Sequence, residues 1–120
     1  MATMHEVIEY VDGVKPNVYS DEDKCGWISR IENIIRIEVH GESPRKLRFP
    51  EDADTELCAP HPFDEVYSLY VMAMIDYHNK EINSYNQAAT LFAERLDAFK
   101  RYYIQHHSGS NAKNFRNVMG

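Results

Sequence analysis

The chain has 120 residues, 43% apolar and 27% charged, with a formal net charge of -6. This is the size of one domain with an ordinary globular core, which excludes a wholly disordered chain. The acidic balance argues against a protein that coats nucleic acid, and no apolar run reaches membrane-spanning length.

Cys25 and Cys58 stand alone, outside any CxxC pair, so the expectation is two reduced thiols without a zinc framework. His5, Glu6, Glu9 and Asp12 crowd the start of the chain. A secretory signal needs a basic start and an uninterrupted apolar stretch, so none is expected.

The first helix is expected over Met4 to Asp12, opened by Thr3 and Glu6 at capping-box spacing and closed by Gly13. Val14-Lys15-Pro16-Asn17 reads as an extended turn, because the residue before proline is driven out of the helical region. Ser20 is the N-cap of a second helix, with Asp21, Glu22 and Asp23 at the positive end of its dipole. Its apolar stripe is Trp27, Ile28, Ile31, Ile34, Ile35 and Val39, and Gly41 is a natural stop.

Residues 42 to 61 carry Pro44, Pro50 and Pro60 and break the helical rhythm. Arg45 to Phe49 alternates polar and apolar, and Thr55 to Ala59 offers a partner, so a short β-hairpin or an irregular insertion is expected. Pro62 fits the first position of a third helix. There Phe63, Val66, Tyr67, Tyr70, Ala73, Met74 and Tyr77 form a stripe, with Leu69, Val71, Met72 and Ile75 on other faces. A helix apolar most of the way round is covered on several sides, either by the rest of the fold or by a neighbouring subunit.

Asn79-Lys80 is the expected break before a fourth helix over Ile82 to Gln105, striped by Tyr85, Ala89, Phe92, Leu96, Phe99 and Tyr103. A connection this short makes the last two helices an antiparallel pair. The fold expected is mainly α: a small bundle of about four helices over residues 1–107, with the 42–61 insertion between helices two and three. Residues 108–120 read as a flexible polar tail.

Catalytic and metal chemistry find little purchase. His5, His40, His61 and His78 lie on different elements. His106 and His107 are adjacent and diverge by about 100° on a helix. Glu32 with Glu38, and Asp64 with Glu65, are carboxylate pairs whose plain reading is a solvated face and a helix start. No nucleophile with its base and no glycine-rich phosphate loop is present. No catalytic residue, metal ligand or cofactor is therefore expected. A small helical enzyme or ligand-binding bundle is the weakest alternative.

Charge is distributed unevenly. No acidic residue follows Asp97, whereas Lys100, Arg101, Lys113 and Arg116 do, and the insertion carries Arg45, Lys46 and Arg48. Arg45, Lys46, Arg48, Arg101, Lys113 and Arg116 are candidate partner contacts, set against the plainer reading of a helix C-terminus and a solvated tail.

Three segments in this order resemble the small head–tail connector, or adaptor, proteins of phages and prophages of Gram-positive bacteria. They are Glu9 to Asn17 followed by Trp27-Ile28; Leu57 to Tyr67; and Ala73 to Asp76 with Asn79, Glu81, Tyr85 and Asn86. The resemblance implies a mainly α structural protein of the virion's head–tail junction, present in the host cytoplasm during assembly. It implies a cyclic homo-oligomer docked on the portal and on tail-side connectors. DNA would pass through its channel without sequence-specific binding, and neither membrane nor cofactor is involved. The glycine usual in that family after the third helix is Lys80 here, which suggests a longer or differently shaped turn. In such a ring Asp12 and Glu32 are candidate channel-lining carboxylates, and deleting residues 108–120 is expected to weaken portal docking while leaving the monomer folded. A phage or host helical interaction or regulatory protein is the nearer alternative.

Overall fold

The computed structural model describes residues 2–107, so the flexible-tail reading of residues 108–120, with Lys113 and Arg116, lies outside the described residues. Four α-helices follow one another: α1 (Met4–Val14), α2 (Asp21–Glu38), α3 (Glu65–His78) and α4 (Ile82–His107). The mainly helical bundle expected from the sequence is what forms.

Helix α1 begins where its capping box places it. Thr3 Oγ1 accepts from the Glu6 N–H at 3.2 Å, and Glu6 Oε1 accepts from the Thr3 N–H at 3.1 Å. Its buried face is Met4, Val7, Ile8 and Val11, at spacings of three and four residues. Gly13 does not end it. The helix runs on to Val14, and Lys15, the residue before Pro16, leaves the helical region at φ -134°. The proline's demand on its predecessor decides this boundary.

Helix α2 is capped by Ser20, whose Oγ accepts from the Asp23 N–H at 3.1 Å. Ile28, Ile31 and Ile35 of its stripe are buried. Past its end, Gly41 takes φ 67°, a left-handed conformation that glycine adopts without steric cost.

Helix α3 is the centre of the fold. It packs against α1, α2 and α4, which is why so many of its faces are apolar. Two expectations for it are corrected. Pro62 is not the first helical position, because residues 61–64 form turns before the helix starts at Glu65. Phe63 N–H donates to Pro60 O, and Val66 N–H to Phe63 O. Tyr77 does not continue the buried stripe either; its ring meets only the edges of Tyr85 and His78 and is exposed.

Helix α4 returns antiparallel to α3. Phe99 is fully buried, while Tyr85, Ala89, Phe92, Leu96 and Tyr103 are half-buried. The connection is three residues long, and Lys80 sits at φ 61°. The turn is thus not longer than a glycine turn: lysine simply occupies the left-handed position.

Residues 42–61 form no hairpin. Among the described residues there is no strand, only an isolated antiparallel bridge between Thr3 and Glu56. The reason is competition for backbone groups. The Arg45 N–H donates to Asn33 Oδ1 at 2.7 Å, Arg36 Nε donates to Ser43 O at 2.9 Å, and the Cys58 N–H donates to Glu32. Residues 48–55 close on themselves through Arg48 and Asp52. Side chains of α2 therefore take the hydrogen bonds that a ladder would have used. Leu47, Leu57 and Ala59 anchor the insertion in the core, at roughly 1.5–3 kcal/mol for a leucine-sized side chain.

Candidate interaction surface

A reactive site needs a polar group left accessible, and the buried charged side chains are engaged with partners. Glu32 is the most deeply placed carboxylate. Oε1 accepts from Tyr67 Oη at 2.6 Å, and both oxygens accept from the Cys58 N–H, at 3.1 and 3.0 Å. Tyr67 Oη in turn accepts from the Ala59 N–H at 2.9 Å. Arg45 Nη2 lies 3.9 Å from Oε2. This corrects the expectation that Glu32 sits on a solvated face or lines a channel: it is fully buried. A carboxylate at this depth is tolerable because donors surround it.

The same network moves two titrations. Burial, then the neighbouring Glu32 charge, pushes the Tyr67 hydroxyl far up. Burial, then the hydrogen bond and charge of Glu32, pushes the Cys58 thiol up to about 11. A thiol in that state is a poor nucleophile at neutral pH. Cys25 is likewise pushed up by burial, and its Sγ lies 3.2 Å from Met4 Sδ.

Two ion pairs, each with one buried partner, account for other groups. Lys24 Nζ is 2.6 Å from Asp12 Oδ1 and 3.3 Å from Asn17 Oδ1. Lys15 Nζ is 2.8 Å from Asp76 Oδ1. Asp12, the second candidate channel-lining carboxylate, is thus engaged in holding α1 to the start of α2. Among the described residues no group of three or more His, Cys, Asp and Glu side chains is placed to hold a metal ion.

The candidate contact residues do not converge. Arg45, Lys46 and Arg48 are exposed on the insertion, with Arg45 leaning towards Glu32. Arg101 is on α4, paired with Asp97 at 2.9 Å. The structure gathers something else, at the opposite end of α3. There the α1–α2 connection meets the α3–α4 turn. Tyr19 Oη donates to Asn79 Oδ1 at 2.6 Å, and the Trp27 ring stacks on His78 at 5.5 Å. The Lys15–Asp76 pair lies beside them.

This braced end exposes large apolar side chains: Val14 at 56%, Val18 at 94%, Tyr77 at 59% and Ile82 at 70%. A cleft of about 470 Å³ opens there between Tyr77, Lys80, Ile82 and Tyr85. Sequence reading missed this surface. Val18, isolated in a polar turn, and Ile82, at a helix start outside the α4 stripe, were its only signals.

No family model, curated protein or solved structure matches the chain. No helix among the described residues is long and apolar enough to cross a membrane.

Proposed function

We propose that this chain is a non-catalytic connecting subunit of the head–tail junction of a tailed phage or prophage. It docks on the portal and repeats around the DNA channel as a cyclic homo-oligomer, in the virion and, during assembly, in the host cytoplasm. The phage assignment rests on the resemblance of its three segments to head–tail connectors. The observation that supports a docking role is the braced apolar end. Val14, Val18, Tyr77 and Ile82 lie in or beside two connections locked to each other by Tyr19–Asn79 and Lys15–Asp76. Exposed apolar groups on a preorganised scaffold suit a protein interface, because little ordering entropy remains to be lost on contact.

Arg45, Lys46, Arg48 and Arg101 lie away from this end and would then act through the long-range field on approach rather than as contacts at the apolar surface. The test is sedimentation of the purified chain with the portal protein of the same genome. Co-sedimentation at a ring stoichiometry is the expected result. Absence of binding at tens of micromolar subunit, on the order of the weakest specific assembly contacts, would remove the proposal.

A further inference from the structure

One contact at the braced end differs chemically from the others. Tyr19–Asn79 is a hydrogen bond between neutral groups, and Lys15–Asp76 is a fixed ion pair. The Trp27–His78 stack instead contains a side chain that changes charge near neutral pH. Its ring planes are 15° apart with centroids at 5.5 Å, so the imidazole lies along the indole face. Tyr77 stands at 82° to the same imidazole, 5.3 Å away, and the Tyr19 ring lies at 6.0 Å. His78 is the last residue of α3 and is exposed, whereas Trp27 is half-buried on α2.

We propose that protonation of His78 tightens its stack on Trp27, which makes the brace between α2 and the end of α3 pH-sensitive. Two features of its place favour the imidazolium over the neutral ring. The indole face is electron-rich and attracts a cation laid upon it. The C-terminus of α3 carries the negative end of the helix dipole. Water reaches the exposed ring, so no full desolvation cost opposes the charge.

The charged neighbours on each element cancel in pairs. Asp76 of α3 is neutralised by Lys15 of the α1–α2 connection. Lys80 and Glu81 of the α3–α4 turn border the same cleft with opposite signs, and Tyr85 of α4 is neutral there. On α2, Asp23 and Arg30 stand a turn to either side of Trp27, again with opposite signs. Among the described residues His78 has no ion-pair partner. The stack and the helix end therefore decide the sign. A fold that holds the charged ring better is more stable below the histidine range and loses that share as pH rises through it. In acid the connections beside Val18 and Ile82 are held more firmly. The consequence for docking rests on the proposed function, whereas the coupling between His78 and Trp27 does not.

Urea unfolding of the full chain and of His78→Gln, at about pH 5 and about pH 8, tests the coupling without any partner. His78→Gln should lower the folded-to-unfolded ratio about threefold more at the acid pH than at the alkaline one. On a Trp27→Leu background that excess should shrink by about half, which a charge at the helix end alone would not do. An equal effect of His78→Gln at both pH values, or an excess unaltered by Trp27→Leu, would overturn the inference. Trp27 is the sole tryptophan and gives a second reading that needs no unfolding. An imidazolium stacked on indole accepts an electron from its excited state. Emission should therefore fall between about pH 8 and about pH 5 in the natural chain and hold steady in His78→Gln. Emission that follows the same course in both would overturn it as well. Both measurements use the free chain, so either can fail while portal docking stands.

Discussion

The hydroxyl of Tyr67 on α3 donates to the carboxylate of Glu32 on α2 at 2.6 Å, with both side chains fully buried. That bond ties the central helix to α2 and, through the Cys58 and Ala59 N–H groups, fixes the end of the insertion. Tyr67→Phe keeps the ring but removes one donor from a buried carboxylate and the acceptor of the Ala59 N–H. A loss of about 2 kcal/mol is expected. Urea unfolding, with the slope unchanged and the midpoint lowered, checks it; an unaltered midpoint would show that the bond carries no net stability.

The shifted Cys58 thiol gives an alkaline signature. Unfolded, it loses its proton near an ordinary 9.0; folded, it holds the proton up to about 11. Between those values the folded state binds more protons, so its contribution is complete below pH 9 and is lost as pH rises towards 11. Tyr67 is shifted in the same direction. Denaturation curves at pH 8 to 11 should therefore fall less steeply for Cys58→Ala than for the natural chain. Thiol labelling of Cys58 at pH 8 should also be slower than for a free thiol.

Lys24 is buried against a half-exposed Asp12. Asp12→Ala removes the nearest partner of the buried ammonium, leaving Asn17 Oδ1 at 3.3 Å and Asp21 Oδ1 at 3.6 Å, and should cost about 2 kcal/mol, less than for a fully buried pair. Adding Lys24→Met should recover much of that loss. A double-mutant cycle with no coupling would contradict the geometry.

Lys80 occupies a left-handed position, at φ 61°. Lys80→Gly relieves a steric cost of about 1 kcal/mol, partly offset by the greater freedom of glycine in the unfolded chain. Thermal unfolding should move upward by a few degrees, roughly in line with that gain. A lowered midpoint would mean that the lysine side chain contributes more than the strain costs.

Val18→Asp with Ile82→Asp changes two exposed side chains. Stability should stay within roughly 0.5 kcal/mol for each. Portal co-sedimentation should fall at least tenfold. Full binding by the double variant would move the docking surface elsewhere on the subunit.

The helices were legible because their signals are local. Thr3 with Glu6, Ser20 before three acids, and the three-and-four spacing of Ile28, Ile31 and Ile35 need only neighbouring residues to act. The apolar circumference of α3 likewise announced cover on several sides, and the three other helices supply it. Boundaries failed where two local signals competed: Pro16 outweighed Gly13 at the end of α1, and turn geometry around Pro60 to Asp64 displaced Pro62 from the helix start.

Burial of individual polar residues was decided elsewhere. Glu32 reads as a surface carboxylate in sequence because its donors, Tyr67 and the Cys58 N–H, lie 35 and 26 positions away. The alternation over Arg45 to Phe49 suits a strand, yet Asn33, Arg36 and Glu32 claim the insertion's backbone first. Val18 and Ile82 are unremarkable until Tyr19 and Asn79 bring their turns to one end. By itself the sequence determined which segments are helical and which helix is covered on several sides, since periodicity and caps act over a single turn. Only the tertiary structure decided which charges are buried and which apolar groups face outward, because those outcomes depend on partners far along the chain.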